Sequence, residues 1–195
     1  MAANSEKDFK FLEDKIEESI LNRRRIFLSD VVDQDTAKEV IRKLWYLESL
    51  DSKKPILFII NSPGGAVDSG FAIWDHIKLL KCPVYTLATG LAASMGSLLI
   101  LAAEKGKRFA TKNARIMIHQ PLISGVIRGQ ATDLDIQAKE MLKTREMLVD
   151  IYADATGKDA ATINKAIDRD NWMSADEAKE FGLVDKVVGS FKDLE

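Results

Sequence analysis

The sequence predicts an α/β fold in which helices cover a central sheet, and three observations carry that prediction. Residues 56–60 and 84–88 are short apolar runs of strand length. Each run ends at a glycine-containing turn, and a stretch of helical period follows. The alternation of strand and helix continues along most of the chain, whose 195 residues are 46% hydrophobic, enough for one sizeable core.

The elements follow in order. Residues 1–24 are charged and hold neither Gly nor Pro, and Phe9, Phe11, Leu12, Ile16, Ile20 and Leu21 recur roughly every fourth position, which predicts an amphipathic helix over part of the segment. Residues 25–28 read as a short strand. A helix is expected over 36–49, opened at Asp35-Thr36, with Val40, Leu44 and Leu47 in its apolar stripe, and residues 52–55 form a turn. Strand 56–60 ends in Asn61-Ser62-Pro63-Gly64-Gly65, and the next helix carries Val67, Phe71, Trp74, Ile77 and Leu80 on one face. Strand 84–88 leads into Gly90-Leu91-Ala92-Ala93-Ser94-Met95-Gly96-Ser97, then into a buried helix over 98–103 closed at Lys105-Gly106. A short strand is expected near 108–110 and another from 115 that ends at His119, the second stopped by Pro121.

Residues 122–129 are apolar but broken by glycines, as in an exposed strand that could pair with a substrate or another subunit. One long helix is expected over 131–155, with Gly157 as its stop; a helix of that length projects from so small a domain, and its apolar residues then need a partner. A short helix over 160–167, a loop over 168–172, a helix over 175–180 capped by Ser174 with Glu177 three residues on, a stop at Gly182 and a strand over 183–188 complete the chain.

Composition excludes several classes of function. The net charge of −2 gives no basic footprint for nucleic acid or a membrane surface. No apolar run approaches membrane-spanning length, and residues 1–10 lack the apolar core of a secretory signal, so a cytoplasmic protein is expected. Cys82 is the only cysteine, which rules out an intramolecular disulfide, and its place beside Pro83 before a strand marks it as a small hydrophobe. No His, Cys or carboxylate cluster has metal-ligand spacing, so no metal is expected.

Chemistry concentrates at three places. Ser94 sits where a strand turns into a helix, among small residues that let a substrate approach. A helix N-terminus there offers free N–H groups and partial positive charge, although a serine in that position can also be only a cap. Gly64-Gly65 forms a second strand–turn–helix junction able to aim an N–H outward, so two such turns on one cleft could stabilise one oxyanion. His119 ends a buried strand with no other reason to carry an imidazole, whereas His76 falls among Asp68, Ser69 and Asp75 opposite the apolar stripe of its helix and reads as a solvated surface residue. Ser94 and His119 lie 25 residues apart and His119 and Asp170 lie 51 apart, so only the fold can join them. The order Ser, His, Asp and the Ala92 in place of the first glycine of Gly-x-Ser-x-Gly both count against a lipase-like hydrolase.

Six strings occur in one order: Ser-Pro-Gly-Gly, Gly-Leu-Ala-Ala-Ser-Met-Gly, Lys-Gly-Lys-Arg-Phe, Met-Ile-His-Gln-Pro, Gly-Gln-Ala-Thr-Asp and Asp-Arg-Asp-Asn-Trp-Met-Ser-Ala-Asp-Glu-Ala. Together, from about Arg25 to about Val188, the chain resembles the proteolytic-subunit family of the ATP-dependent Clp protease. The resemblance implies a ClpP/crotonase-like spiral of ββα units with a projecting handle helix. It implies a serine endopeptidase with Ser94 as nucleophile, His119 as base and Asp170 as orienting acid, and with the N–H groups of Gly65 and Met95 as oxyanion hole. Asp168 is the competing acid; Asp170 is preferred because Asn-Trp-Met-Ser-Ala follows it.

By the same resemblance residues 25–195 form one protease domain, and residues 1–24 a separate segment that is a candidate to face an axial pore, although the family's N-terminal signature is missing. Asp168 and Arg169 would form salt bridges between two stacked heptameric rings, a tetradecamer enclosing the active sites. An AAA+ unfoldase would thread unfolded polypeptide into it, consuming ATP that this chain does not itself bind; no cofactor is implied. The unfoldase would dock on an apolar pocket lined by Leu57, Ile59, Leu79, Leu87 and Phe109. Thr89 and Thr111 stand where larger apolar residues are usual, which implies weak docking and leaves room for a second, different ring subunit. The stretch after Pro121 is about two residues longer than usual, with Ile123-Ser124 replacing a Gly-Gly pair. A crotonase-like acyl-CoA enzyme, a non-catalytic or partner-dependent ring subunit and a free-standing peptidase are the alternatives.

Overall fold

The computed structural model describes residues 2–123, 125 and 128–194, with side chains from residue 10 onward. Its frame is a seven-stranded sheet ordered β1-β2-β3-β4-β7, with β5 paired to β3 and β6 paired to β5. The strands are β1 (Arg25–Leu28), β2 (Ile56–Ser62), β3 (Val84–Ala93), β4 (Arg108–Thr111), β5 (Arg115–Ile118), β6 (Asn171–Ser174) and β7 (Lys186–Val188). Every pairing is parallel except β5 with β6. The helices are α1 (Ala2–Asn22), α2 (Gln34–Leu50), α3 (Val67–Leu79), α4 (Met95–Ile100), α5 (Ala131–Thr156), α6 (Ala160–Ala166) and α7 (Ala175–Phe181), and a short 3-10 turn spans Phe191–Leu194.

Period-two alternation in the strands separates two apolar faces. Ile56, Phe58 and Ile60 of β2 and Val84 and Ala88 of β3 enter the main core with Leu44 and Leu47 of α2, Ile73 and Ile77 of α3, and α4. Leu57 and Ile59 of β2, Tyr85 and Leu87 of β3, and Phe109 of β4 form a second cluster with Val188 and Leu194. Cys82 is buried in the main core, as its sequence context predicts.

Several boundaries differ from the sequence reading, each for a physical reason. α2 starts two residues early because Asp33 is its cap, in a reciprocal capping box with Thr36. β3 runs on through Gly90, whose φ of 56° and the register shift beside Ile60 and Ser62 admit a bulge. Asn61 Oδ1 accepts from the Leu91 N–H there at 3.0 Å. α4 begins at Met95, and Leu101–Ala103 is turn rather than helix. Asn171 and Trp172, expected in a loop, open β6, because β5 offers them an antiparallel partner. The last strand is only Lys186–Val188. His76 is half-buried rather than solvated: α3 packs beside α2, and Trp45 Nε1 donates to His76 Nδ1 at 3.0 Å. The exposed strand expected over 122–129 is not formed at residues 122, 123, 125, 128 and 129; residues 124, 126 and 127 lie outside the described set.

α5 has the length and the stop that the sequence implies, with Gly157 left-handed at φ 73°. Only its last third is buried, through Leu148, Val149 and Tyr152, while Ile136, Leu142 and Met147 are exposed. Its C-terminal end is anchored by a buried ion pair. Arg108 Nη2 and Nε reach Asp185 Oδ1 and Oδ2 at 2.6 and 3.0 Å, and Arg108 Nη1 donates to the Ala155 carbonyl at 3.2 Å. Burial alone would raise the Asp185 carboxyl, but the Arg108 guanidinium and the N–H groups of Arg108 and Gly106 hold it below the usual carboxylate range.

Asp185→Asn leaves Arg108 buried without its counter-ion, and should lower the unfolding free energy by about 3 kcal/mol at neutral pH. A group with a depressed folded pKa stabilises above its unfolded pKa, so the gap between the two proteins should close as pH falls below ~4. Urea denaturation at pH 7 and in acid measures both; equal stability at pH 7 would show that the pair does not anchor α5.

Candidate active site

Strand register brings the three distant residues together. β3 pairs with β5 so that Ala93 lies opposite Met117, and the Ser94 N–H donates to the Met117 carbonyl at 2.9 Å. β5 pairs with β6 so that Ile118 lies opposite Asn171, which makes His119 and Asp170 the next rung of the antiparallel ladder. Ser94, His119 and Asp170 are thus the residues just beyond the ends of three adjacent strands. His119 Nε2 lies 2.8 Å from Ser94 Oγ. His119 Nδ1 lies 3.3 Å from Asp170 Oδ1. The histidine is largely buried, whereas the Asp170 side chain is 61% exposed.

Ser94 precedes α4 but does not cap it, since its hydroxyl faces His119 and makes no cap hydrogen bond. Its backbone has a positive φ, φ 54° and ψ −124°, outside every region favoured by residues with a Cβ, a conformation a serine adopts only where its surroundings force it. The Ser94 carbonyl accepts from the N–H groups of Ser97 and Leu98 at 3.0 and 3.1 Å and from Ser97 Oγ at 2.7 Å. Since the single Ser97 hydroxyl proton is used there, the Tyr152 hydroxyl, 3.3 Å from Ser97 Oγ, is the donor of that pair. Burial pushes the Tyr152 phenol up to about 12, so it keeps its proton.

The Gly64-Gly65 turn stacks directly behind this one. A Cβ on Gly64 would stand 2.8 Å from the Met95 nitrogen and 2.8 Å from Ser94 Cβ, and one on Gly65 would stand 2.3 Å from the Val32 carbonyl oxygen. Glycine is therefore demanded at both positions by close approach as well as by φ values of 89° and 153°. Met95 opens α4, so its N–H lies outside the helical ladder. The bridge beside Gly65 uses the Val32 and Ala66 N–H groups and not that of Gly65. Both residues line one cavity of about 290 Å³ with Ser94 and His119. Its walls are otherwise mostly apolar, including Val67, Leu98, Met117, Leu148 and Tyr152.

Of the other residues singled out in the sequence, Asp168 and Arg169 are exposed beside this site, with Arg169 Nη1 donating to the Asp168 carbonyl at 2.9 Å. The carboxylate that meets His119 is that of Asp170, whereas the Asp168 carboxylate lies 3.9 Å from Arg169 Nη1 and the Asp168 carbonyl accepts from Gln120 Nε2 at 2.8 Å. Leu57, Ile59, Leu87 and Phe109 meet in the second apolar cluster, while Leu79 is exposed at the end of α3 and is not among its members. Gln120 and Tyr152 were missed as parts of the site. Gln120 adjoins His119 in the sequence and ties it to the Asp168 loop, and that adjacency was the available signal. Tyr152 carried none, because its reach to Ser97 depends on how α5 packs.

Among the described residues no helix is long and apolar enough to cross a membrane, and no group of His, Cys, Asp and Glu is clustered to hold a metal ion. The Clp protease family model matches residues 10–191. The chain is 69% identical over 182 residues to a protein of Protochlamydia amoebophila named ATP-dependent Clp protease proteolytic subunit 1, covering 93% of this chain and 88% of that one. Proteins of the same name from Chlamydia abortus and Chlamydia trachomatis are 59% and 58% identical over 183 residues, each match covering 94% of this chain and 95% of the relative. The strand-end constellation, the family match over nearly the whole chain and these identities lead to one conclusion: the chain belongs to the Clp protease family.

Proposed function

We propose that Ser94, His119 and Asp170 are the catalytic triad of this chain and that the N–H groups of Gly65 and Met95 bind the oxyanion. The chain is a serine endopeptidase subunit of a Clp protease, and it works with a partner ATPase. The observation that carries the triad is the 2.8 Å contact of Ser94 Oγ with His119 Nε2 at a residue whose backbone is held at a positive φ.

In this reading His119 Nε2 takes the Ser94 proton as Oγ attacks the peptide carbonyl. Asp170 holds the Nδ1 tautomer and stabilises the imidazolium, and the two N–H groups receive the charge developing on oxygen. His119 then returns the proton to the leaving amine, and water, activated by the same histidine, releases the acyl-enzyme. The apolar walls of the cavity beside Ser94 suit an apolar substrate side chain.

The substrate is unfolded polypeptide, degraded in the cytoplasm inside two stacked heptameric rings. ATP is consumed by an AAA+ unfoldase and no cofactor is bound here. The exposed apolar residues of α5, Ile136, Leu142 and Met147, support burial of that helix between rings, and the exposed N-terminal α1 residues Phe11, Leu12 and Ile16 support a contact beyond the single chain, toward the axial pore. The cluster of Leu57, Ile59, Leu87 and Phe109, with Leu79 supplied from the neighbouring subunit, is the unfoldase-docking face. Thr89 and Thr111 weaken it, which leaves a place for a second ring subunit. A partner-dependent activity is the second reading, and the exposure of Asp170 at a contact as long as 3.3 Å favours it. Arg169, exposed one residue away, would tighten that loop by pairing across the ring interface.

Ser94→Ala should leave assembly intact and reduce kcat for a fluorogenic peptide by about 10⁶, and a fluorophosphonate should label Ser94 in the parent chain. Labelling at Ser97, or undiminished turnover, would sink the assignment. Arg169→Ala should convert double rings to single rings in native mass spectrometry, with peptidase activity lost in step. Single rings with full activity would show that Asp170 needs no support from the interface.

A further inference from the structure

The second apolar cluster is not left open in this chain. It lies on the sheet face opposite the main core, and the C-terminal turn Phe191–Leu194 folds back onto it. Leu194 is only 9% exposed and packs with Ile59, Leu87, Phe109 and Val188. Leu194 and Phe191 also wall a small cavity of about 170 Å³ whose other side is Leu87, Thr111 and Val188.

The turn is closed by its own polar groups. Asp193 Oδ2 accepts from the Gly189 and Ser190 N–H groups at 2.9 and 2.8 Å, and Lys186 Nζ donates to the Asp193 carbonyl at 2.7 Å. Phe191 is otherwise exposed, and the Arg25 guanidinium stacks 3.9 Å from its ring centroid. These contacts are few and depend on one buried leucine. A segment held by so few contacts opens at far lower cost than the core strands it covers.

We propose that Phe191–Leu194 is an intramolecular lid, with Leu194 seated in the docking pocket, that the apolar anchor of the partner ATPase must displace. This rests on the docking reading above and adds its regulation. The partner's anchor and Leu194 compete for the same apolar ground, formed by Leu87, Phe109 and Val188. When the receptive state is a minor one, the apparent affinity falls by its fractional population. A buried leucine side chain shifts such a local equilibrium by about ten- to hundredfold. The lid therefore sets a threshold: a weak or isolated apolar anchor is refused, and a multivalent partner gets through. Thr111 borders the same cavity and lowers the attraction for any incoming anchor, so the lid and the threonine act in one direction.

The test is binding of a purified Clp-type unfoldase, in ATP, to the assembled parent chain and to three variants. Leu194→Ser should tighten binding about tenfold or more. Phe191→Ala, at a position 53% exposed that leaves the core intact, should tighten it by a smaller factor. Leu79→Ser, on the docking face but outside the lid, should weaken binding. Binding that is unchanged, weakened or undetectable in both Leu194→Ser and Phe191→Ala overturns the lid. If Leu79→Ser weakens binding in that case, docking at this face survives and the lid alone falls. If Leu79→Ser changes nothing either, the docking face itself lies elsewhere.

Discussion

The positive-φ backbone of Ser94 is the constraint on which the rest of the molecule depends. A φ of 54° at a residue with a Cβ costs about 1–3 kcal/mol, and it persists only where the surroundings over-determine it. Here they do. The Met117 carbonyl holds the Ser94 N–H from one side, and two N–H groups and the Ser97 hydroxyl hold its carbonyl from the other. A Cβ on Gly96 would meet the Ser62 carbonyl oxygen at 2.8 Å, so β2 and the start of α4 are pressed together with nothing between them. The strain aims Ser94 Oγ out of the turn at His119, where an ordinary cap would have turned it back onto the helix.

Around that turn the molecule divides into a part that is finished and a part that is not. β2, β3, β5 and α4 form a buried scaffold in which Ser94 and His119 sit close together. Asp170, by contrast, stands on an exposed loop tied to His119 by the register of β6 and to Gln120 by one carbonyl of its neighbour. Apolar side chains remain uncovered in the single chain on α1 and on the first two-thirds of α5, and also at Trp45, Tyr46, Leu79 and Leu122. The Arg108–Asp185 pair joins the two parts, because it bonds the base of α5 to β4 and to the segment leading into β7.

The second apolar face of the sheet follows from alternation. Strands covered on one side by helices place every other residue on the opposite side, so the pattern that fills the core with Phe58 and Ile60 also lines a second face with Leu57 and Ile59. The turn Phe191–Leu194 folds back over that face, and Leu194 becomes part of the same cluster as Leu87 and Phe109.

The sequence by itself determined the α/β class, the glycine turns at Gly64 and Ser94, the length of α5 and the Ser174 capping box with Glu177. These are local properties, written as period, punctuation and side-chain chemistry within a few residues. Its order of motifs also marked Ser94, His119 and Asp170 as belonging together. Only the tertiary structure decided how. β6 exists because β5 offers it an antiparallel edge, and no four-residue window around Asn171 contains that edge. The same partnership sets His119 opposite Asp170 rather than Asp168, a difference of two residues in register that residue type cannot decide. His76 is half-buried for the same reason, since Trp45 reaches it from another helix. The lid over the second face depends on a contact between residues 194 and 87, more than a hundred positions apart, which packing alone could bring together.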